Sequence, residues 1–341
     1  DAAACTMFLD LFVDCNYNSL FPEEIEGLTR GSTEGRDGKG IIYIFAGGNS
    51  YNLGEDVGFG GFENSHYTIT VGALGKDGLR ASYSNTGASL VVSAPGGDID
   101  HFTNNIAAKP GSGCTDATVG KSPQCCWIAS LSYVSLLKSY SLGTSFSAPI
   151  LSGAVALVLE ANPNLTWRDV QGILATTSRK VDATDPYWNT NAAGINHSPS
   201  YGFGVLDVGA EVAAAENWSL YPPEQQLIIQ SGQVNVSIAE YLGDPTSSVV
   251  TVSESVVVES VAVYLDLSHS SRGDLYISLT SPGGTRAIMH PGQRPENSQP
   301  VERWKLLAVG FWGEISIGEW ELELIDKSSG DVSDCVDFDG Y

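Results

Sequence analysis

The sequence predicts an α/β domain, a parallel sheet with flanking helices, followed by an all-β sandwich. The continuous apolar run 40–46 is typical of a buried parallel strand. The apolar run 150–159 follows a small, turn-forming segment and predicts a buried helix. After the Tyr-Pro-Pro segment 221–223, apolar and polar residues alternate between turn signals, which indicates antiparallel strands. We therefore assign residues 1–219 to the first domain and 220–341 to the second.

The composition is that of a globular, acidic protein. The 341 residues suffice for two domains, and 42% of them are hydrophobic and 17% charged. A net charge of −23 argues against nucleic-acid binding and suits a secreted or cation-binding protein. No uninterrupted apolar stretch has the length of a membrane span, so none is expected. The first residues lack the basic and apolar regions of a signal peptide, so we expect a mature chain or a fragment.

The first domain contains further predicted elements along the chain. The segment 22–28, with acidic residues in its first turn, predicts a short helix, and 67–73 and 90–94 read as strands. Residues 99–140 show few periodic features. Two more helices are expected, one capped by Thr166 with Asp169 and one over 208–215, and the second domain has alternating strands in 248–267, 274–279 and 319–325.

The run 143–149 reads Gly-Thr-Ser-Phe-Ser-Ala-Pro and carries the strongest chemical signal. It places the hydroxyl of Ser145 at the start of a buried helix, where the dipole and free N–H groups favour negative charge. A serine nucleophile of acyl transfer needs that environment, because its tetrahedral intermediate carries an oxyanion. An ordinary helix-capping serine would give part of this pattern. Seven ordered residues favour the nucleophile.

The run 143–149 resembles the nucleophile motif of subtilisin-like serine proteases, and the wider stretch 143–207 resembles their kexin and furin branch. Residues 269–286 and 318–320 resemble the P domain of that branch. The resemblance implies a subtilisin-like sheet, a jelly-roll-like P domain, and hydrolysis of protein or peptide substrates through an acyl-enzyme on Ser145. It also implies that Asn49, after the first strand, donates to the oxyanion.

The triad histidine and aspartate that the resemblance implies are absent from this chain. They should lie in His-Gly-Thr and Asp-x-Gly elements upstream of Asn49, and none of the five histidines has that setting. Two explanations follow. Either a separate or further N-terminal piece supplies both residues, or the protein is a catalytically inactive extracellular structural or binding module. The presence of both Ser145 and Asn49 favours an endopeptidase.

Calcium is the one cofactor that the resemblance implies, and the peptide-bond chemistry itself requires none. Kexin-like enzymes bind it with acidic residues beside the basic side chain of the substrate. Here Gly60 and Asn85 stand where two of those carboxylates are expected, while Glu55 and Asp56 keep local negative charge. A preference for basic residues therefore does not carry over.

Cysteines and glycosylation signals favour the secretory route and an extracellular location. No Cys-x-x-Cys pair predicts a zinc site. Cys5 and Cys15 are near enough to close a small loop, and Cys114 has Cys125 or Cys126 as a candidate partner, with the pairing and Cys335 left open. Asn-x-Ser/Thr sequences mark four glycosylation candidates: Asn164, Asn196, Asn217 and Asn235.

Overall fold

The computed structural model describes residues 17–98, 142–231, 245–267, 272–292 and 303–327, with residues 238 and 269. Outside these ranges only the backbone of short strands is described. All six cysteines, His101 and Asn235 fall outside the residues whose side chains are described.

The described elements follow in chain order. The helices are α1 (Pro22–Gly38), α2 (Thr144–Ala161), α3 (Trp167–Thr177) and α4 (Val208–Glu216). The strands of the first half are β1 (Cys5–Phe8), β2 (Phe12–Cys15), β3 (Tyr43–Ala46), β4 (Thr68–Leu74), β5 (Leu90–Pro95), β6 (Ile106–Ala108), β7 (Trp127–Ala129), β8 (Ser132–Val134) and β9 (Leu137–Ser139). Those of the second half are β10 (Asn189–Thr190), β11 (Asn196–His197), β12 (Val236–Ser237), β13 (Thr246–Val252), β14 (Val261–Leu267), β15 (Leu275–Thr280), β16 (Arg286–Pro291), β17 (Val301–Ala308), β18 (Gly318–Asp326) and β19 (Cys335–Asp337).

A parallel sheet in the order β3-β4-β5 forms the centre of the first domain. Every residue of β4 is buried. All four residues of β3 are only half-buried, although the apolar run 40–46 predicts a buried strand, because β3 lies at the edge of the described sheet. Val71 and Val92 of the sheet share one core with Leu151 of α2 and Ile173 of α3. Full burial of each such side chain stabilises the fold by about 1.5–3 kcal/mol. The predicted α/β architecture is confirmed.

Helix α1 is longer than the seven residues that the sequence predicts. Its regular part continues past Leu28 to residue 34, and the backbone leaves helical geometry at 35–37. The extension passes through Gly31, where a β-carbon would lie 1.8 Å from the hydroxyl of Tyr43. The glycine therefore permits close packing of helix on strand, although in sequence it resembles a helix breaker.

Helix α2 is the one helix among the described residues that is long and apolar enough to cross a membrane, with a mean hydropathy of 1.4. A core helix of a folded domain passes the same test. Leu151, Val155 and Val158 lie in the buried core with the parallel sheet. The absence of a membrane span in this chain stays a prediction.

The second domain is a sandwich of two antiparallel four-stranded sheets, ordered β12-β19-β14-β17 and β13-β18-β15-β16. Strand β18 alternates strictly, with Trp320, Leu322 and Leu324 buried. These side chains share a core with the fully buried Trp304 of β17. The predicted all-β sandwich is confirmed, since alternation of this kind places one face of each sheet against the other.

The two parts of the chain are joined by polar contacts from two buried side chains of the first domain. Arg168 of α3 donates through Nε to Glu259 at 2.8 Å and through Nη1 to the carbonyl of Pro222 at 2.6 Å. The Asn191 amide donates to the carbonyls of Gly310 and Trp312 at 3.0 and 2.9 Å. The exact boundary between residues 219 and 220 stays a prediction.

Candidate active site

The carboxyl end of β3 and the start of α2 meet at one edge of the parallel sheet. Asn49 lies just beyond β3, and its Oδ1 accepts hydrogen bonds from the backbone N–H of Thr144 at 2.9 Å and from Thr144 Oγ1 at 3.0 Å. Thr144 Oγ1 accepts in turn from the backbone N–H of Gly48 at 3.1 Å. These contacts hold together two segments that are 95 residues apart in the sequence.

The contact with Thr144 fixes which way the amide of Asn49 faces. A backbone N–H can only donate, so the atom that it meets must be the side-chain oxygen. The Nδ2 group is consequently the outer, donor end of an exposed side chain. A β-carbon on Gly143 would lie 3.5 Å from both the nitrogen and the oxygen of this amide, so the amide of Asn49 stands beside the residue that begins the serine motif.

Ser145 is exposed in the first turn of α2. The first N–H groups of a helix have no acceptor within it, and the helix dipole places partial positive charge there. The helix is preceded by Gly143, whose φ of 142° is one that L-residues rarely adopt. Gly143 donates its N–H to the carbonyl of Gly96 at 3.1 Å. The serine thus projects from a helix end whose direction is set by glycine geometry.

Two further hydroxyl groups bind the carbonyls at the end of β5 and just beyond it, one from α2 and one from Tyr83. Fully buried Ser147 donates to the carbonyl of Ala94 at 3.1 Å. The Tyr83 hydroxyl lies 2.9 and 2.7 Å from the carbonyl oxygens of Gly96 and Gly97, which share its single proton. Burial raises the pKa of the Tyr83 hydroxyl, so it remains protonated and able to donate at neutral pH. The sequence motif contains Ser147, but no local signal indicates the role of Tyr83.

The four described histidines are engaged away from Ser145. The ring of His66 packs against the ring of Tyr67 at an interplanar angle of 39°, and His197 hydrogen-bonds the carbonyl of Leu90 at 3.0 Å. His269 faces Asp326, and His290 contacts the carbonyl of Leu275. Within the ranges described, no hydrogen bond joins Ser145 to an imidazole. Burial lowers the pKa of His66 and of His197 to about 4, so both are neutral at pH 7.

At the two positions where the resemblance implies calcium ligands, Gly60 and Asn85, neighbouring described side chains make other contacts. The amide Nδ2 of Asn85 donates to Glu55 at 3.1 Å, and a nitrogen that donates to a carboxylate cannot be an oxygen ligand of a metal. A β-carbon on Gly60 would lie 2.1 Å from Oε2 of Glu63, so this carboxylate fills the space of the missing side chain. No group of three or more metal-binding side chains occurs among the residues described. Calcium elsewhere in the chain stays a prediction.

The glycosylation candidates differ in exposure. Asn164 and Asn217 are exposed. Asn196 is half-buried and accepts a hydrogen bond from Thr190 at 2.7 Å. Glycosylation at all four predicted asparagines remains a prediction, with Asn235 outside the described residues.

In the backbone register of β1 and β2, Cys5 stands opposite Cys15.

A cavity of about 1470 Å³ lies at the junction of the two domains. Its lining includes Trp167, Arg168, Glu259 and Lys305, and neither Ser145 nor Asn49 reaches it. Burial lowers the pKa of Lys305 to about 8. The cavity is therefore separate from the candidate catalytic groups.

Comparison with known families bears on both parts of the chain. The model described as the subtilase family (Peptidase S8) matches residues 18–204, and the model of the proprotein convertase P-domain matches residues 258–339. The first match alone covers more than half of the sequence.

Similar proteins of known identity extend this finding. The chain is 32% identical to protease KEX1 of Kluyveromyces lactis over 90% of its own length and 38% of that protein. It is 33% identical to human proprotein convertase subtilisin/kexin type 4, over 89% and 38% of the two chains. The solved serine protease of Aeromonas sobria has 25% identity and a TM-score of 0.77, over 96% of this chain and 68% of that one. The chain spans less than half of the length of these two curated relatives.

Proposed function

The chain belongs to the subtilase family and carries a proprotein convertase P-domain, and from this premise we propose that it contributes the nucleophile and the oxyanion donor of a kexin-type serine endopeptidase. Ser145 is the nucleophile and Asn49 the oxyanion donor. The substrate is a protein or peptide, and the products are its two fragments.

The observation that carries the proposal is the pair of hydrogen bonds from Thr144 to Asn49 Oδ1. They place the amide donor of Asn49 and the residue before Ser145 in one rigid unit, with Nδ2 directed away from Thr144. Preorganised donors of this kind stabilise an oxyanion without rearranging during the reaction.

The proposed reaction has two steps. Ser145 Oγ loses its proton to a base and bonds to the substrate carbonyl carbon, whose oxygen becomes the oxyanion held by Asn49. The protonated base then gives its proton to the amide nitrogen, the tetrahedral intermediate collapses, and the C–N bond breaks to release the neutral amine. Water then hydrolyses the ester on Ser145 by the same sequence of events. Each step needs a histidine base, oriented by an aspartate, to transfer the proton.

We propose that the segment carrying those two residues adds to the edge of β3. Among the strands that the structure describes, β3 pairs only with β4, and its four residues are half-buried. A parallel strand added there would end at the same edge of the sheet as Asn49, since carboxyl ends of parallel strands share an edge. Such a segment, from a separate N-terminal chain or from further sequence, would reach Ser145.

The secretory route is proposed as the location of this activity. Exposure of Asn164 and Asn217 leaves both side chains open to glycosylation, and the acidic net charge of −23 suits an extracellular protein. We also propose that the cysteine pairs considered above form disulfides, as expected for a protein of the secretory route.

A fluorophosphonate probe on the natural full-length protein tests the function. We expect labelling of Ser145, loss of the label in Ser145→Ala, and full labelling in the matched control Ser152→Ala, an exposed serine of the same helix. Asn49→Ala should slow labelling by about 10²–10³, the cost of one such donor in this class of enzyme (a subtilisin is the source of that figure). No label on the natural protein, under conditions that label a known subtilisin, would favour the inactive binding module instead.

A further inference from the structure

Asn85 holds both neighbours of the proposed oxyanion donor. Its backbone N–H donates to the carbonyl of Gly48 at 3.2 Å, and its Oδ1 accepts from the N–H of Ser50 at 2.9 Å. Asn85 is 2% exposed, so these bonds form away from competing water. Asn49 stands between the two residues that Asn85 binds.

The remaining donor of Asn85 reaches a buried carboxylate. Nδ2 donates to Glu55 at 3.1 Å, and the N–H of Glu55 donates to the carbonyl of Ser50 at 3.3 Å. Asn85 thus binds both ends of the loop from Ser50 to Glu55, the first through the N–H of Ser50 and the second through the carboxylate of Glu55. A charge-assisted hydrogen bond to a carboxylate is about twice as strong as a neutral one.

The glycine at position 48 makes the close approach possible. A β-carbon there would lie 2.1 Å from Asn85 Nδ2, and the residue has a φ of 96°. Both the space and the backbone conformation therefore require glycine.

The orientation of the Asn85 amide excludes a cation between residues 85 and 55. Ser50 N–H can only donate, so it fixes Oδ1 on its own side and leaves Nδ2 toward Glu55. The Asn85 amide donates directly to the carboxylate of Glu55. A carboxylate in place of this amide would instead need a cation to bridge it to Glu55.

We propose that Asn85 is a positioning residue that orients Asn49, and that it fixes this loop without calcium. The relevance to catalysis rests on the function proposed above. The orientation of Asn49 itself can be measured without any activity, because Thr144 N–H is bonded to Asn49 Oδ1.

Amide hydrogen exchange on the full chain tests the proposal at single residues. In Asn85→Ala we expect exchange at Ser50 to rise about five- to tenfold or more, the effect of one lost hydrogen bond, and exchange at Thr144 to rise with it. The control Asn52→Ala, an exposed asparagine of the same loop, should change neither. Faster exchange at Ser50 with no change at Thr144 would show that Asn85 does not orient Asn49 and would overturn the positioning role.

Chelation and a second variant test the calcium-free part. EDTA should leave exchange at Ser50 unchanged in the natural chain, whereas faster exchange after chelation would refute this part. Asn85→Asp keeps the acceptor for Ser50 and puts a carboxylate against Glu55. We expect it to loosen Ser50 at pH 7 and to recover protection on adding Ca²⁺; an Asp variant as protected as the natural chain without Ca²⁺ would contradict the amide contact.

Activity supplies a separate readout. If Ser145 labels in the natural protein, Asn85→Ala should lower the labelling rate, and Asn49→Ala should remove most of that effect because both variants act through one donor. An unlabelled natural protein would count against the proposed function, while the exchange results would still decide the role of Asn85.

Discussion

Replacing Asn64 by alanine should loosen the junction between the two domains. Asn64 is 1% exposed in the loop before β4. Its Nδ2 donates to the carbonyl of Lys305 at 2.7 Å, and its Oδ1 accepts from the N–H of Leu307 at 2.9 Å. One side chain therefore hydrogen-bonds two backbone groups of strand β17, which lie 241 and 243 residues away in the chain.

The magnitude follows from the groups left behind. Two hydrogen bonds contribute about 1 kcal/mol each, and an unpaired buried donor costs about 1–3 kcal/mol. Leu307 is 3% exposed, so its N–H is buried in the folded chain. Together these terms predict that Asn64→Ala lowers the free energy of unfolding by about 3–5 kcal/mol.

Urea unfolding followed by tryptophan fluorescence measures this loss. The exposed Asn52→Ala serves as the matched control and should stay within about 0.5 kcal/mol of the natural chain. Hydrogen exchange at Leu307 should rise in the Asn64 variant alone. A loss below about 0.5 kcal/mol, with Leu307 still protected, would refute the reasoning that this residue secures the junction.

Two further predictions concern pH. Burial depresses the pKa of His197 to about 4, below its unfolded value of about 6.5, so its contribution to stability is present above pH 6.5 and lost as the pH falls toward 4. The natural chain should lose stability between pH 7 and pH 5, and His197→Gln should lose about 2 kcal/mol less over the same range in urea unfolding. An equal loss of stability in both proteins would contradict the burial argument. Burial raises the pKa of Glu211 to about 7, so this fully buried group destabilises the fold increasingly as pH rises from 4.5 to 7. The free energy of unfolding of Glu211→Gln, relative to that of the natural chain, should therefore be about 2 kcal/mol greater at pH 8 than at pH 5 in urea unfolding. The same difference between the two proteins at both pH values would contradict a raised pKa of Glu211.

The sequence was sufficient for elements that depend on local pattern. The segments 67–73 and 90–94, read as strands, match β4 and β5 to within a residue or two. The reciprocal bonds of Thr166 with Asp169, at 2.8 and 3.2 Å, confirm the predicted helix cap. Local pattern works here because buried strands and caps are determined by neighbouring residues.

Contacts between distant segments could not be predicted in the same way. The bonds of Thr144 to Asn49 and of Asn64 to Lys305 join residues 95 and 241 positions apart, and an asparagine in a loop carries no signal of its distant partner. The length of α1 was missed for a related reason. Gly31 is required by Tyr43, a residue of another element, and sequence propensity treats the glycine in isolation.

The supports of the candidate nucleophile lie within this chain. Ser147 binds the end of β5, Gly143 binds Gly96, and Thr144 binds Asn49, so the start of α2 is fixed on three sides by described residues. None of these contacts involves a histidine or an aspartate. A segment that brought the base to Ser145 would therefore add proton transfer to a helix end whose geometry is already fixed. We accordingly expect that geometry to be the same whether or not the base is present. The exchange rate of the Thr144 amide therefore reports the contact between Thr144 and Asn49 even in an inactive protein.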